Sequence, residues 1–170
     1  PGIERSEHDV AAICSRDHER AQAVADEHGI PRAYGDYESL LDDEGIDAVY
    51  NPVPNALHAE WTKRAADAGL HVLCEKPLAV DAEEAAELCD YCSGRGVTLM
   101  EAFMYRFHPR TERAATIVAE ELGDVRSMTA TLKFRLEDES VVQMDPDLAG
   151  GSLLDVGCYT VNATRLFLGQ

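Results

Sequence analysis

The chain has 170 residues, of which 45% are hydrophobic and 28% charged, and a net charge of −17 from 32 acidic and 15 basic side chains. That length holds one substantial domain or one and part of another, with the composition of a globular protein. The charge disfavours nucleic acid and anionic membranes as partners, and no apolar run approaches the roughly 20 residues that cross a bilayer.

In chain order, short apolar strands alternate with helical patterns. DVAAIC (9–14) reads as a strand. Asp17 is placed to cap the helix HERAQAVADEH, which Gly29 ends. A short helical piece, YESLLDD, follows Asp36, and IDAVY (46–50) is the next strand. NPVPN (51–55) is a rigid turn, because its two prolines fix φ and remove donors. Asn55 is placed to cap ALHAEWTKRAADA, which stops at Gly69. LHVLC (70–74) reads as a buried strand cut off by Glu75-Lys76-Pro77. Asp81 caps EEAAELCDYCS with Glu84 set for a capping box. Residues 97–100 form a strand and 108–122 a helix. After Gly123 the texture changes: VRSMTATLKFRL (125–136) alternates like a half-exposed antiparallel strand, and GGSLLDVGCYTVNATRLFLG (150–169) reads as a helix with an apolar face.

Strand-helix alternation with short apolar strands predicts an α/β fold with a doubly wound parallel sheet, both of its faces covered. The predicted division is a dinucleotide-binding domain over 1–122 and the start of an α+β substrate domain over 123–170. Ligands in such sheets bind outside the carboxyl ends of the strands. That rim carries Ser15-Arg16, 51–55, Glu75-Lys76-Pro77 and Glu101. The strand ending in Ser15-Arg16, with Arg20 one turn into the helix, has arginines where an acidic residue would bind the ribose 2′-hydroxyl of NAD. That is a signal for the 2′-phosphate of NADP, set against a merely solvated pair of arginines. His58 lies one turn into its helix and faces either the rim or the core. Lys76 leaves a buried strand at a low-dielectric rim, where an ammonium can polarise an oxygen or lower the pKa of a neighbouring hydroxyl. The alternative is a surface lysine paired with Glu75. Asp155 and Tyr159, at i and i+4, share one helix face. Gly150, Gly151 and Gly157 permit close backbone approach there.

Lys63, Lys76 and Lys133 are the only lysines, against twelve arginines. Acid excess with lysine depletion points to a salt-rich cytoplasm, where ionic strength screens carboxylate repulsion. The five cysteines read as reduced, with Cys14 and Cys74 acting as small buried hydrophobes. Cys89 and Cys92 form a C-x-x-C without the second pair that a structural zinc would need, so no metal is expected.

Together ICSRD with ERA (13–21), NPVPNALH (51–58), AGLHVLCEKPLA (68–79), EAFMYRFHP (101–109) and the segment 150–169 resemble the glucose–fructose oxidoreductase and inositol dehydrogenase family, in family order and over nearly the whole chain. Tyr159 stands where many sugar and inositol dehydrogenases carry histidine. The chain is therefore similar to the branch with glucose–fructose oxidoreductase, dihydrodiol dehydrogenase and NADP-dependent pyranose 1-dehydrogenases. The resemblance implies Tyr159 as the proton-transfer residue, assisted by a Lys76 ammonium that favours the phenolate, and Asp155 holding a substrate hydroxyl. It implies Ser15, Arg16 and Arg20 on the adenosine 2′-phosphate of NADP, Pro54, Asn55 and His58 beside the nicotinamide, Glu75 on its ribose, and Arg106 as a further cofactor contact. It admits a cis Lys76–Pro77 bond. The implied substrate is a pyranose sugar or similar cyclic polyol, with a dihydrodiol or other cyclic alcohol, or a non-catalytic NADP or sugar sensor, as alternatives. The resemblance also places the family's first strand and Gly-rich phosphate loop before Pro1, and most of its large open sheet after the last helix. The expected whole is a cytoplasmic protein about twice as long, homo-oligomeric through that sheet. The 170 residues alone, without the pyrophosphate cradle, are expected to be inactive.

Overall fold

The computed structural model describes residues 7–138 and 140–169. Strands β1 (Ile13–Cys14) and β2 (Ala33–Tyr34) form one parallel pair, and β3 (Ala48–Asn51), β4 (His71–Cys74) and β5 (Leu99–Glu101) form a three-stranded parallel sheet in that order. The crossovers are α1 (His18–His28), α2 (Tyr37–Leu41), α3 (His58–Asp67) and α4 (Ala82–Gly94). Helices α5 (Pro109–Glu120) and α6 (Cys158–Leu168) complete the chain.

Local chemistry sets the helix ends. Asp17 accepts the amide of Arg20 at 3.2 Å to open α1, Asp36 that of Ser39 at 2.7 Å to open α2, and Asp81 that of Glu84 at 2.9 Å to open α4. Glu84 reaches back to the amide of Val80, one residue before the cap. Gly29 closes α1 with φ 68°, a conformation that favours glycine. Asn55 does not cap α3. A 3₁₀ turn, Asn55–Leu57, intervenes and closes through the Leu57 amide on the Pro54 carbonyl at 2.8 Å. The Asn55 side chain is thereby released for a long-range contact.

The core lies between α3, α4 and the β3–β5 sheet. Ala59, Ala66, Leu88, Cys92 and Val97 form one cluster, and Ala65, Leu70, Val72 and Cys74 a second, with Leu78 and Leu99 packed against both. Small alanines let the helices approach the sheet closely, and complete burial of Leu88 contributes on the order of 2 kcal/mol. Burial pushes the Cys74 thiol up to about 12, so it packs as a neutral small hydrophobe.

Helices α3 and α4 cover one face of the β3–β5 half of the sheet, and Ala48, Tyr50, His71 and Met100 lie exposed on the other. Successive right-handed crossovers running one way along a sheet lay their helices on the same side. Residues 125–136 form no ladder among the described residues, because a strand needs a partner for its amides and carbonyls.

Ion pairs such as Arg64 with Glu60, Arg95 with Asp67 and Arg113 with Glu121 lie at the surface, and 15 basic residues cannot neutralise 32 acidic ones. The folded protein should therefore gain stability from dilute to molar KCl as like charges are screened. Thermal melts across a KCl series measure this, and a melting temperature that is flat or falls with salt contradicts it.

Candidate functional site

Parallel register makes the rim. Asn51, Cys74 and Glu101 are level with one another across β3, β4 and β5, so the chain leaves all three strands at the same height. At the β4 exit, Lys76 precedes Pro77 through a cis peptide bond. Its Nζ donates to the main-chain carbonyl of Asp155 at 2.6 Å and to Asp155 Oδ1 at 3.2 Å. The same nitrogen stands 5.3 Å from the centre of the Tyr159 ring. Side-chain exposures of 15% for Lys76 and 17% for Asp155 put the pair in a largely desolvated setting, where charge interactions are stronger than in water.

The segment carrying Asp155 and Tyr159 begins in a tight loop. Gly150 is pressed against carbonyl oxygens: a Cβ there would meet those of Asp145 and Gln143 at 2.7 Å. The helix read from the sequence starts as a π-turn, Leu153–Gly157, before α6, a form frequent at functional sites. Asn55 Nδ2 donates to the Ala149 carbonyl at 2.9 Å, tying the turn after β3 to this loop.

Tyr159 sits among aromatic rings, edge-on to Phe103 at 5.3 Å and tilted to Tyr105 at 6.0 Å. Tyr105 in turn donates to Asn162 Oδ1 at 2.5 Å. Burial, and then the charges of Glu75, Cys158 and Asp155, push the Tyr159 phenol above its ordinary pKa. This corrects the expectation that Lys76 favours the phenolate. The ammonium faces the ring and is bonded to Asp155, while burial of the phenol first, and the charges beside it second, push the other way. Glu75 accepts the Tyr50 hydroxyl at 2.6 Å and the Lys76 amide at 3.3 Å. Burial, with the Glu75 hydrogen bond, holds the Tyr50 phenol up as well.

Lys76, Asp155 and Tyr159 line an open groove of about 590 Å³ together with Met104, Tyr105, His108, Arg110 and Phe134. The last five were not singled out in the sequence. An aromatic run just past the carboxyl end of a strand, FMYRF after Glu101, is the signal that could have found two of them, Met104 and Tyr105. Arg106 is exposed and is not among the groove residues. His58 is buried, with both ring nitrogens against backbone carbonyls, so its ring lies behind the rim. Pro54 and Asn55 are half-buried at the β3 exit. Ser15, Arg16 and Arg20 gather at the β1–α1 junction, where Ser15 Oγ accepts the Asp17 amide at 3.2 Å. Among the described residues no ion pair engages either guanidinium, and no hydrogen bond links this group to Lys76. Also among the described residues, no helix is long and apolar enough to cross a membrane.

A serine–arginine strand end and a lysine–aspartate–tyrosine cluster thus stand on the rim of a parallel sheet, where ligands bind in nucleotide-binding folds of this kind. The model of the oxidoreductase family with the NAD-binding Rossmann fold (GFO/IDH/MocA) matches residues 2–103, and the chain belongs to that family. It is 64% identical over 170 residues to D-xylose 1-dehydrogenase (NADP(+)) 2 of Haloferax volcanii, covering 99% of this chain and 52% of that protein. It is 38% identical to trans-1,2-dihydrobenzene-1,2-diol dehydrogenase of Xenopus tropicalis, covering 96% and 50%. The crystal structure of a 3-ketoreductase from Actinomadura kijaniata, complexed with NADP and TDP-benzene, superposes with a TM-score of 0.93 at 38% identity, covering 99% of this chain and 52% of that one. The chain thus spans about half the length of these relatives.

Proposed function

We propose that the protein is an NADP-dependent dehydrogenase that oxidises a pyranose sugar, or a similar cyclic polyol, at a ring carbinol. The observation that carries this is the meeting of Lys76 Nζ with Asp155, 79 positions away, at 2.6 and 3.2 Å, directly beside the Tyr159 ring. A non-catalytic sensor of the same fold needs no such cluster.

When bound, NADP supplies the nicotinamide carbon that accepts hydride. The chain's own residues handle the proton and the geometry. Tyr159 exchanges a proton with the reacting hydroxyl oxygen. In oxidation the Tyr159 phenolate takes the hydroxyl proton as the hydride leaves, and in the reverse direction the phenol, the form that its raised pKa favours, returns that proton to the carbonyl oxygen. Lys76 offers its remaining N–H to the same oxygen, stabilising negative charge as it develops there. Asp155 fixes Lys76 through Oδ1 and its main-chain oxygen, and its Oδ2 accepts a neighbouring substrate hydroxyl. The rings of Phe103 and Tyr105 hold Tyr159 in place and exclude water from its face. For the cofactor, Ser15, Arg16 and Arg20 suit a 2′-phosphate: two guanidiniums and a hydroxyl at a helix N-terminus, with no competing ion pair among the described residues. Pro54, Asn55 and Glu75 form the wall on the nicotinamide side, and Arg106 a more distant contact. The named activities of the relatives support this reading.

In the same proposal residues 1–122 belong to the cofactor domain and 123–170 open the substrate domain. The whole protein is cytoplasmic, in keeping with five free cysteines, and homo-oligomeric through a sheet beyond α6. The test is NADPH formation by the full-length protein against a panel of aldoses, inositols and dihydrodiols in molar KCl. Turnover of aldopyranoses is expected, and turnover of none of the panel overturns the reading.

A further inference from the structure

Asn51, His58 and Thr62 are the buried polar side chains among the described residues, and they form one connected group. Asn51 Nδ2 donates to the His58 carbonyl at 3.2 Å and to Thr62 Oγ1 at 3.1 Å. The His58 ring, 1% exposed, has Nδ1 2.7 Å from the Pro77 carbonyl and Nε2 2.8 Å from the Val53 carbonyl. None of the three residues lines the groove. Buried polar groups cost free energy unless bonded, and a satisfied network rigidifies what it joins.

What the His58 ring joins is specific. Pro77 belongs to the turn that carries Lys76, and Val53 to the turn that leaves β3. The ring is rigid, and with a proton on each nitrogen it donates to both carbonyls at once, so it fixes the spacing of the two turns. Lys76 must reach Asp155 on a distant segment, and an error in its starting point passes along its whole stem.

We infer that His58 is a positioning residue for Lys76, its ring clamping the Pro77 and Val53 carbonyls so that the ammonium is delivered to Asp155 and the Tyr159 ring. This rests on the role given to Lys76 above.

A double-mutant cycle on the full-length enzyme tests it, with His58→Gln, His58→Phe, Lys76→Met and the two combinations. Gln retains an amide donor. Phe keeps the ring volume and removes both nitrogens, so the cycle can be run on whichever variant folds. At saturating NADP and sugar, kcat is expected to fall about 10-fold or more with His58→Gln and further with His58→Phe, since misplacement by about 1 Å costs up to ~10²-fold. The KM for NADP stays within about twofold. In the Lys76→Met background the His58 change costs at most about twofold more, because the residue through which it acts is gone. Equal losses in both backgrounds, or a lowered melting temperature with kcat unchanged, overturn the inference alone. A Lys76→Met enzyme with near-normal kcat overturns the reading of the site itself, and the inference with it.

Discussion

Replacing Tyr159 by phenylalanine should lower kcat by about 10²- to 10⁴-fold, the range for one positioned acid–base group, with the affinity for NADP nearly unchanged. The hydroxyl has one partner among the described residues, Met104 Sδ at 3.9 Å, so its removal breaks little else. The ring stays with Phe103 and Tyr105, and Phe packs equally well there. If Tyr159 serves only packing, the variant is harmless. Steady-state turnover in both directions decides between the two, and near-normal kcat in Tyr159→Phe ends the assignment. The pH dependence follows from the direction of the shift. A free tyrosine ionises near ~10, and burial together with Glu75, Cys158 and Asp155 pushes Tyr159 above that. Carbonyl reduction, which needs the phenol as donor, should therefore be level through neutral pH and fall only in the alkaline range. Alcohol oxidation, which needs the phenolate, should climb with pH over the same range. A reduction rate that falls through neutral pH would contradict the arrangement.

The second large effect lies at the other end of the cofactor. Exchanging Arg16 and Arg20 together for glutamine should cut kcat/KM with NADP while leaving that with NAD nearly unchanged. Hydrogen bonds to charged groups contribute about 1.5–3 kcal/mol each, so losing two should cost on the order of 10²-fold or more, mostly in KM. Nothing in the fold depends on either side chain: both are exposed, and α1 is opened by Asp17 rather than by them. Kinetics with both cofactors measure the effect, and an unchanged NADP preference in the double variant refutes the phosphate role.

Much of this was legible in the sequence because it is locally encoded. Asp17, Asp36 and Asp81 open helices where their side chains dictate, and the apolar runs ending at Cys14 and Cys74 end strands there. The cluster of Lys76, Asp155 and Tyr159 was within reach because strand ends share a rim and i, i+4 residues share a face. Long-range geometry was not. Asn55 gave up a capping role for a bond to Ala149, 94 positions away, and no local rule reports that choice. His58 turned inward because two carbonyls from separate turns converge on it. The direction of the Tyr159 shift depends first on how far the phenol is buried and then on the charges around it, and spacing carries neither. Residues 125–136 have the alternation of a strand, but pairing depends on a neighbour as well as on pattern.

The bond from Lys76 to Asp155 also bears on how the molecule comes together and comes apart. Bringing together groups 79 positions apart costs roughly 4 kcal/mol of chain entropy beyond a constant, whereas β3, β4 and β5 are joined by short local crossovers. That closure cost falls on the segment bearing Tyr159, which is docked onto the rim, and not on the strands and their helices. Local opening proceeds from the least stable parts of a structure. A fluctuation that lifts the last segment away dismantles the reaction centre while the sheet beneath stays folded, so the centre survives only as long as the docking contacts of Lys76, Asn55, Phe103 and Tyr105 hold.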